Sequence, residues 1–136
     1  MWVIDGNNVL GAGADGWWAD PTSAGVRLAD AVARWRRVED VPVVLVFDGR
    51  PEPRLLELAE PGLEIDFATR SGRDAADDRI VEIVDERFAD HPDLTVATSD
   101  RGLADRLPPG VAVEGAGRFR TRLGLPGPGR HPTRRQ

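Results

Sequence analysis

Val43-Val44-Leu45-Val46-Phe47-Asp48-Gly49 is the stretch that decides the fold. Five apolar residues in a row, closed by Asp-Gly, suit a strand covered on both faces, as in a parallel sheet. Upstream, Trp2–Asp5 is a short apolar strand that also ends in an acid. Between the two, Val26, Leu28, Ala29, Val32, Ala33 and Trp35 recur at helical spacing, with Thr22 and Ser23 as helix starters after Asp20-Pro21. Downstream, a weak helix around residues 54–60 precedes Leu63, Ile65 and Phe67, which alternate like a strand nearer the sheet edge. A strong helix is expected over 74–89, a strand over 94–98, a short helix over 101–107 and a last strand over 111–113. Alternating strands and helices predict a doubly wound α/β sheet with right-handed crossovers.

Composition narrows the chemistry. A chain of 136 residues fits one domain, and 40% hydrophobic residues can build its core. Cysteine is absent, which removes disulfides, thiolate catalysis and Cys-type zinc sites. His91 and His131 are the only histidines, so a Ser-His-Asp triad and a histidine-rich metal site are poorly supported. A metal here is held by oxygen, which favours magnesium, manganese or calcium. The chain reads straight into a strand, with no basic segment or long apolar run before it. No signal peptide and no membrane span are expected, hence a cytoplasmic location.

Charge is unevenly placed. All 23 acids lie at or before Glu114, while Arg118, Arg120, Arg122, Arg130, Arg134 and Arg135 follow it. Arginine without lysine is what a GC-rich genome encodes; the functional reading is a basic tail touching phosphates beside an acidic site. Residues 125–136 are read as a disordered basic tail behind a domain spanning 1–124.

Three strands end in aspartate: Asp5, Asp48 and, just past Thr98-Ser99, Asp100. In an open α/β sheet the ligand site lies outside the carboxyl ends of the strands, so all three project to one edge. One such aspartate is an ordinary helix cap; three are harder to dismiss. At about 100° per residue, Asp77 falls in line with Val81, Val84 and Phe88 and so occupies the core-facing stripe in the first turn of its helix. Asp74 lies about 60° off that stripe and can join the cluster, whereas Asp78, about 100° off, faces water. Like charges about 4 Å apart repel by about 4 kcal/mol at an effective dielectric near 20. A divalent cation among them removes that penalty. Asn8 adds a neutral oxygen or an amide donor at the same edge. Gly11-Ala12-Gly13-Ala14-Asp15-Gly16 matches G-x-G-x-x-G, but neither a strand directly before it nor a helix directly after it is expected, so it is set aside as a dinucleotide site. Trp17 and Trp18 are expected to shape a loop lining the cleft, either exposed for stacking on bases or buried against the first helix.

These motifs occur in a familiar order. Asp5-Gly6-Asn7-Asn8-Val9, Val46-Phe47-Asp48-Gly49, Asp74-Ala75-Ala76-Asp77 and Thr98-Ser99-Asp100-Arg101 resemble the motifs of NYN-domain proteins of the YacP type, a branch of the PIN-like nucleases. Gly115-Ala116-Gly117-Arg118-Phe119 resembles the stretch that closes that domain. The resemblance implies a single three-layer α/β/α domain with a mainly parallel five-stranded sheet, an acidic metal site and action on RNA. Carried across, Asp5, Asp77 and Asp100 would be metal ligands and Asn8 would match the asparagine after the first strand. Asp48 matches the aspartate closing the second strand. Asn7 stands where the family usually has Tyr, and Asp74 where Glu is more frequent.

The expected function is an Mg²⁺- or Mn²⁺-dependent ribonuclease, with Asp5, Asn8, Asp77 and Asp100 catalytic and Asp48 and Asp74 as further metal ligands. Arg70, Arg73, Arg101, Arg118, Arg120 and Arg122 are candidates for gripping RNA phosphates, because they flank the expected site. A homodimer is compatible with this reading. The competing class is an RNA-binding NYN domain with weak or no cleavage. A small-molecule phosphatase is disfavoured by the absence of an Asp-x-Asp motif, of lysine and of a phosphate-cradling loop.

Overall fold

The computed structural model describes residues 1–13, 16–68 and 74–127. Among them a five-stranded sheet, all parallel, runs through β1 (Trp2–Asp5), β2 (Val43–Asp48), β3 (Leu63–Ala68), β4 (Thr95–Ala97) and β5 (Ala112–Glu114). The order is β3-β2-β1-β4-β5. The chain moves outward from β1 to β3, then returns to lay β4 on the other side of β1. That reversal opens a crevice between β1 and β4 at their carboxyl ends, where α/β sheets bind ligands.

Alternation on the strands explains the three layers. Ile4, Val43, Leu45 and Phe47 point to one face, Val3, Val44 and Val46 to the other, and all seven are buried. The first face is covered by α1 (Gly6–Gly11), α2 (Pro21–Glu39), α3 (Pro53–Leu56) and α6 (Ala116–Leu123). The second is covered by α4 (Ala75–Arg87) and α5 (Arg101–Ala104). As expected for an edge strand, β3 exposes Glu64, and Arg87 holds it with paired 3.0 Å bonds while Arg79 reaches Asp66 at 2.8 Å.

Four local details depart from the expectations. α2 starts earlier than Thr22-Ser23: Asp20 is its cap, accepting the Ser23 N–H at 3.2 Å, with Pro21 in the first turn. The stretch after β1, to which the sequence reading assigns no element, forms α1, whose Val9 and Leu10 are buried. The buried stripe of α4 is Ala76, Ile80, Ile83 and Val84, so Asp77 sits beside it rather than in line with it. Trp17–Ala19 forms a 3₁₀ turn; Trp17 packs partly buried against the core and Trp18 is exposed, and neither is among the residues lining the two hollows at the carboxyl edge.

The C-terminal stretch closes the first face. Phe119 packs between Trp2 and Trp35 at centroid distances of 5.4 and 5.3 Å. Leu125 donates its N–H to the Arg120 carbonyl at 3.0 Å and packs against the same core, so packing continues past residue 124. Residues 128–136 lie outside the described residues. No helix among the described residues is long and apolar enough to cross a membrane.

Candidate active site at the carboxyl edge

Strand register builds the site. Ile4 pairs with Ala97, so the next residues along, Asp5 and Thr98, lie side by side at the end of β1 and β4. The Thr98 hydroxyl donates to Asp5 Oδ2 at 2.9 Å and accepts the Asp100 N–H at 3.1 Å. One hydroxyl thus links two acidic residues. Asp100 caps α5, its Oδ1 accepting the Leu103 N–H at 3.1 Å. Asp48 extends from β2, two residues beyond the Asp5–Val46 pair.

The two asparagines of α1 tie neighbouring strands together. Asn7 Oδ1 accepts the Asp48 N–H at 2.8 Å, and Asn8 Oδ1 accepts the Ser99 N–H at 2.7 Å. Each oxygen is committed, which leaves each side-chain NH₂ as the group to offer a ligand. Ser99 in turn accepts the Ala116 N–H at 2.8 Å, anchoring the start of α6. Gly6 makes this crossing possible: a Cβ there would lie 2.7 Å from the Val46 carbonyl oxygen and 2.8 Å from the Phe47 ring.

Asp5, Asn7, Asn8, Asp48, Asp74, Asp77 and Asp100 line one open basin of about 310 Å³. Among the described residues none of its five aspartates forms an ion pair. Electrostatics follow from that crowding. Asp5 is only 5% exposed, and burial, opposed by the Thr98 bond and aided by the Asp77 charge, pushes its pKa up to about 6. Burial also raises Asp48. Asp77 is raised by burial and then by the charges of Asp100 and Asp74, with Arg106 pulling the other way. Asp78 turns aside, as expected from its position on the helix, and pairs with Arg106 at 2.7 Å.

Of the sequence candidates, Asp5, Asn8, Asp48, Asp74, Asp77 and Asp100 all line the basin. The arginines divide. Arg120 is a correction: it is 1% exposed, and its guanidinium donates to the carbonyls of Val9 (3.1 Å) and Pro126 (2.5 Å), so it serves the core and is not presented to a phosphate. Arg122 is held on both Glu114 oxygens and over the Trp2 ring, away from the basin lining. Arg118 is exposed beside a separate hollow with Glu114 and Arg122, and Arg101 is exposed next to Asp100. Arg70 and Arg73 lie outside the described residues. Sequence reading missed Thr98, Asn7 and Arg106 as parts or neighbours of the site. Only the hydroxyl two places before Asp100 carried a readable signal.

The donor set is all oxygen plus amide, which suits a hard divalent cation. Among the described residues no three acidic or histidine side chains converge tightly enough to enclose one ion. Magnesium fits a ring of this kind, because it keeps several waters and takes one or two carboxylates directly.

The fold and the site define a doubly wound α/β domain with an acidic carboxyl edge. The sequence profile of the YacP-like NYN domain matches residues 2–113, and the chain belongs to that family. The crystal structure of Rae1 (YacP) from Bacillus subtilis superposes with a TM-score of 0.72 at 20% identity, covering 91% of this chain and 73% of that one. A tryptophan-to-leucine mutant of the same protein gives a TM-score of 0.70 at 21% identity, with 90% and 74% covered. No curated protein sequence matches the chain.

Proposed function

We propose that the chain is a divalent-metal-dependent ribonuclease hydrolysing RNA phosphodiester bonds in the acidic basin. The observation that carries this reading is the convergence of five aspartates from four separate chain segments on one basin, with Asp5 raised to about 6 at its buried end. A structural role gains nothing from such crowding; a divalent cation does, and through it a phosphate can approach.

In this reading Asp5, Asp77 and Asp100 would hold Mg²⁺ or Mn²⁺, one or two directly and the rest through the ion's waters, with Asp48 and Asp74 at the rim. A bound divalent cation supplies polarisation of the phosphate and makes water a better nucleophile at neutral pH. Thr98 fixes the carboxylate plane of Asp5. The Asn8 NH₂ donates to the phosphate or the attacking water, since its oxygen already accepts from Ser99. Arg101 and Arg118, both exposed, together with Arg70 and Arg73, supply phosphate contacts that the acidic body lacks.

One observation favours the second reading, an RNA-binding NYN domain with weak cleavage: the side chains ring the basin without closing on a single ion. Incubating purified protein with mixed single-stranded and structured RNA in Mn²⁺, Mg²⁺ or EDTA separates the two, with Asp5→Asn/Asp100→Asn as control. Cleavage that needs metal and disappears in the control supports the nuclease. RNA bound but intact in every lane supports the binder.

A further inference from the structure

Beside the acidic basin, across a wall formed by Asn7 and Asp48, lies a second, smaller groove of about 160 Å³. Its walls come from α1, α2, α3 and the ends of β2 and β3, and its floor is apolar: Leu10, Phe47, Leu55 and Phe67. Phe47 and Phe67, both almost fully buried, pack with centroids 5.7 Å apart and planes tilted 30°, and their edges form the groove's base. Thr22, from the first turn of α2, forms one side, and Arg50 stands exposed at the mouth.

We propose that this groove receives one unstacked nucleobase of the RNA strand whose phosphate occupies the acidic basin. This rests on the ribonuclease reading for the neighbouring phosphate. Three features commit the groove to a base. It shares Asn7 and Asp48 with the basin, so a ligand in one is covalent-chain distance from the other. Its volume is well under the roughly 300–1,000 Å³ of pockets that take a whole ligand, which suits a single planar ring. Its charge disfavours a second phosphate: among the described residues Asp48 and Glu52 line it against one cation, Arg50, and carboxylates accept from the exocyclic amines of bases. Asn7 is the wall residue, and with its oxygen accepting the Asp48 N–H at 2.8 Å its NH₂ is the donor it can offer a ligand. An apolar floor with a donor and acceptors at the lip matches a base and its edge.

The test uses the full chain and two RNAs: an all-abasic pentanucleotide and the same chain carrying one adenine. In Ca²⁺, with the RNA checked to be intact on a gel, fluorescence anisotropy should show the one-adenine chain binding about tenfold tighter. Thr22→Phe, which fills the groove without touching the basin, should bind both RNAs alike and at the abasic level, with an unchanged melting temperature as the folding check. In Mn²⁺, cuts in a longer RNA bearing one abasic residue should be lost at one fixed offset from that residue. Equal binding of both RNAs by the unmodified chain, or an adenine preference that survives Thr22→Phe, overturns the groove. If RNA is cut with no fixed offset, the groove falls and the nuclease stands. If no RNA is cut yet the adenine preference is lost in Thr22→Phe, the nuclease falls and the groove stands. RNA that neither binds nor is cut removes both.

Discussion

Asp5 is the residue on which stability and proposed chemistry meet. Its folded pKa of about 6 lies above the ordinary 3.8, so the folded chain holds the proton more tightly than the unfolded one. The stability from this group is therefore fully present below pH 3.8 and is lost as pH rises through about 6. Asp5→Asn should stabilise the metal-free protein near pH 7.5 by about 1–3 kcal/mol, with the gain fading near pH 4, as thermal melts across pH will show. The same change should remove cleavage. A stability gain that does not vary with pH would contradict the buried-charge account. Thr98 tests the same centre from outside. Thr98→Val leaves Asp5 Oδ2 and the Asp100 N–H without their partner and should cost about 1–3 kcal/mol in urea unfolding. It should also move any pH–activity midpoint upward, because the Thr98 bond lowers the Asp5 pKa; Thr98→Ser should restore both.

At the scale of elements, α1 and α6 matter most, and neither was visible as a helix in the sequence. Gly-Asn-Asn is a poor helix former, and six residues are too few to be stable alone. Tertiary bonds from Asn7 and Asn8 and burial of Val9 and Leu10 hold α1 in place. Gly6→Ala should cost about 1–3 kcal/mol by overpacking against Val46 and Phe47 and should displace Asn8, measured as lost melting temperature together with lost activity. α6 carries four polar or charged residues and Gly117 in eight positions, which masks its amphipathic face. Arg120 is the clearest case: a charge read as a phosphate contact is the bolt that joins α6 to α1. Arg120→Met should destabilise by about 1–3 kcal/mol by removing the buried bonds to the Val9 and Pro126 carbonyls, without altering metal binding measured by calorimetry.

For the whole molecule, the sheet order places Asp5 and Asp100 on either side of the topological switch between β1 and β4, with α4 delivering Asp74 and Asp77 over the same edge. Binding energy of a cation there is folding energy. Mn²⁺ at about 100 times its dissociation constant should add about 2.7 kcal/mol to stability. Since Asp5, Asp48 and Asp77 are all raised, protons compete with the ion, and the thermal shift should be larger at pH 8 than at pH 5.5. A shift equal at both values would argue against these carboxylates as ligands.

Much of this was legible in the chain itself. Apolar runs such as Val43–Phe47, each closed by an acid, determined a parallel sheet with carboxylates at one edge, because strand direction and side-chain alternation are local properties. The same local rules set Asp78 apart from Asp77. What only the tertiary structure decided were relations between distant residues: the Thr98 hydroxyl bridging Asp5 and Asp100, the asparagine oxygens committed to Asp48 and Ser99, and the burial of Arg120. Hydrogen-bond partners and burial depend on which segments the fold brings together, and a side chain's type says what it can bond to but not what stands within its reach.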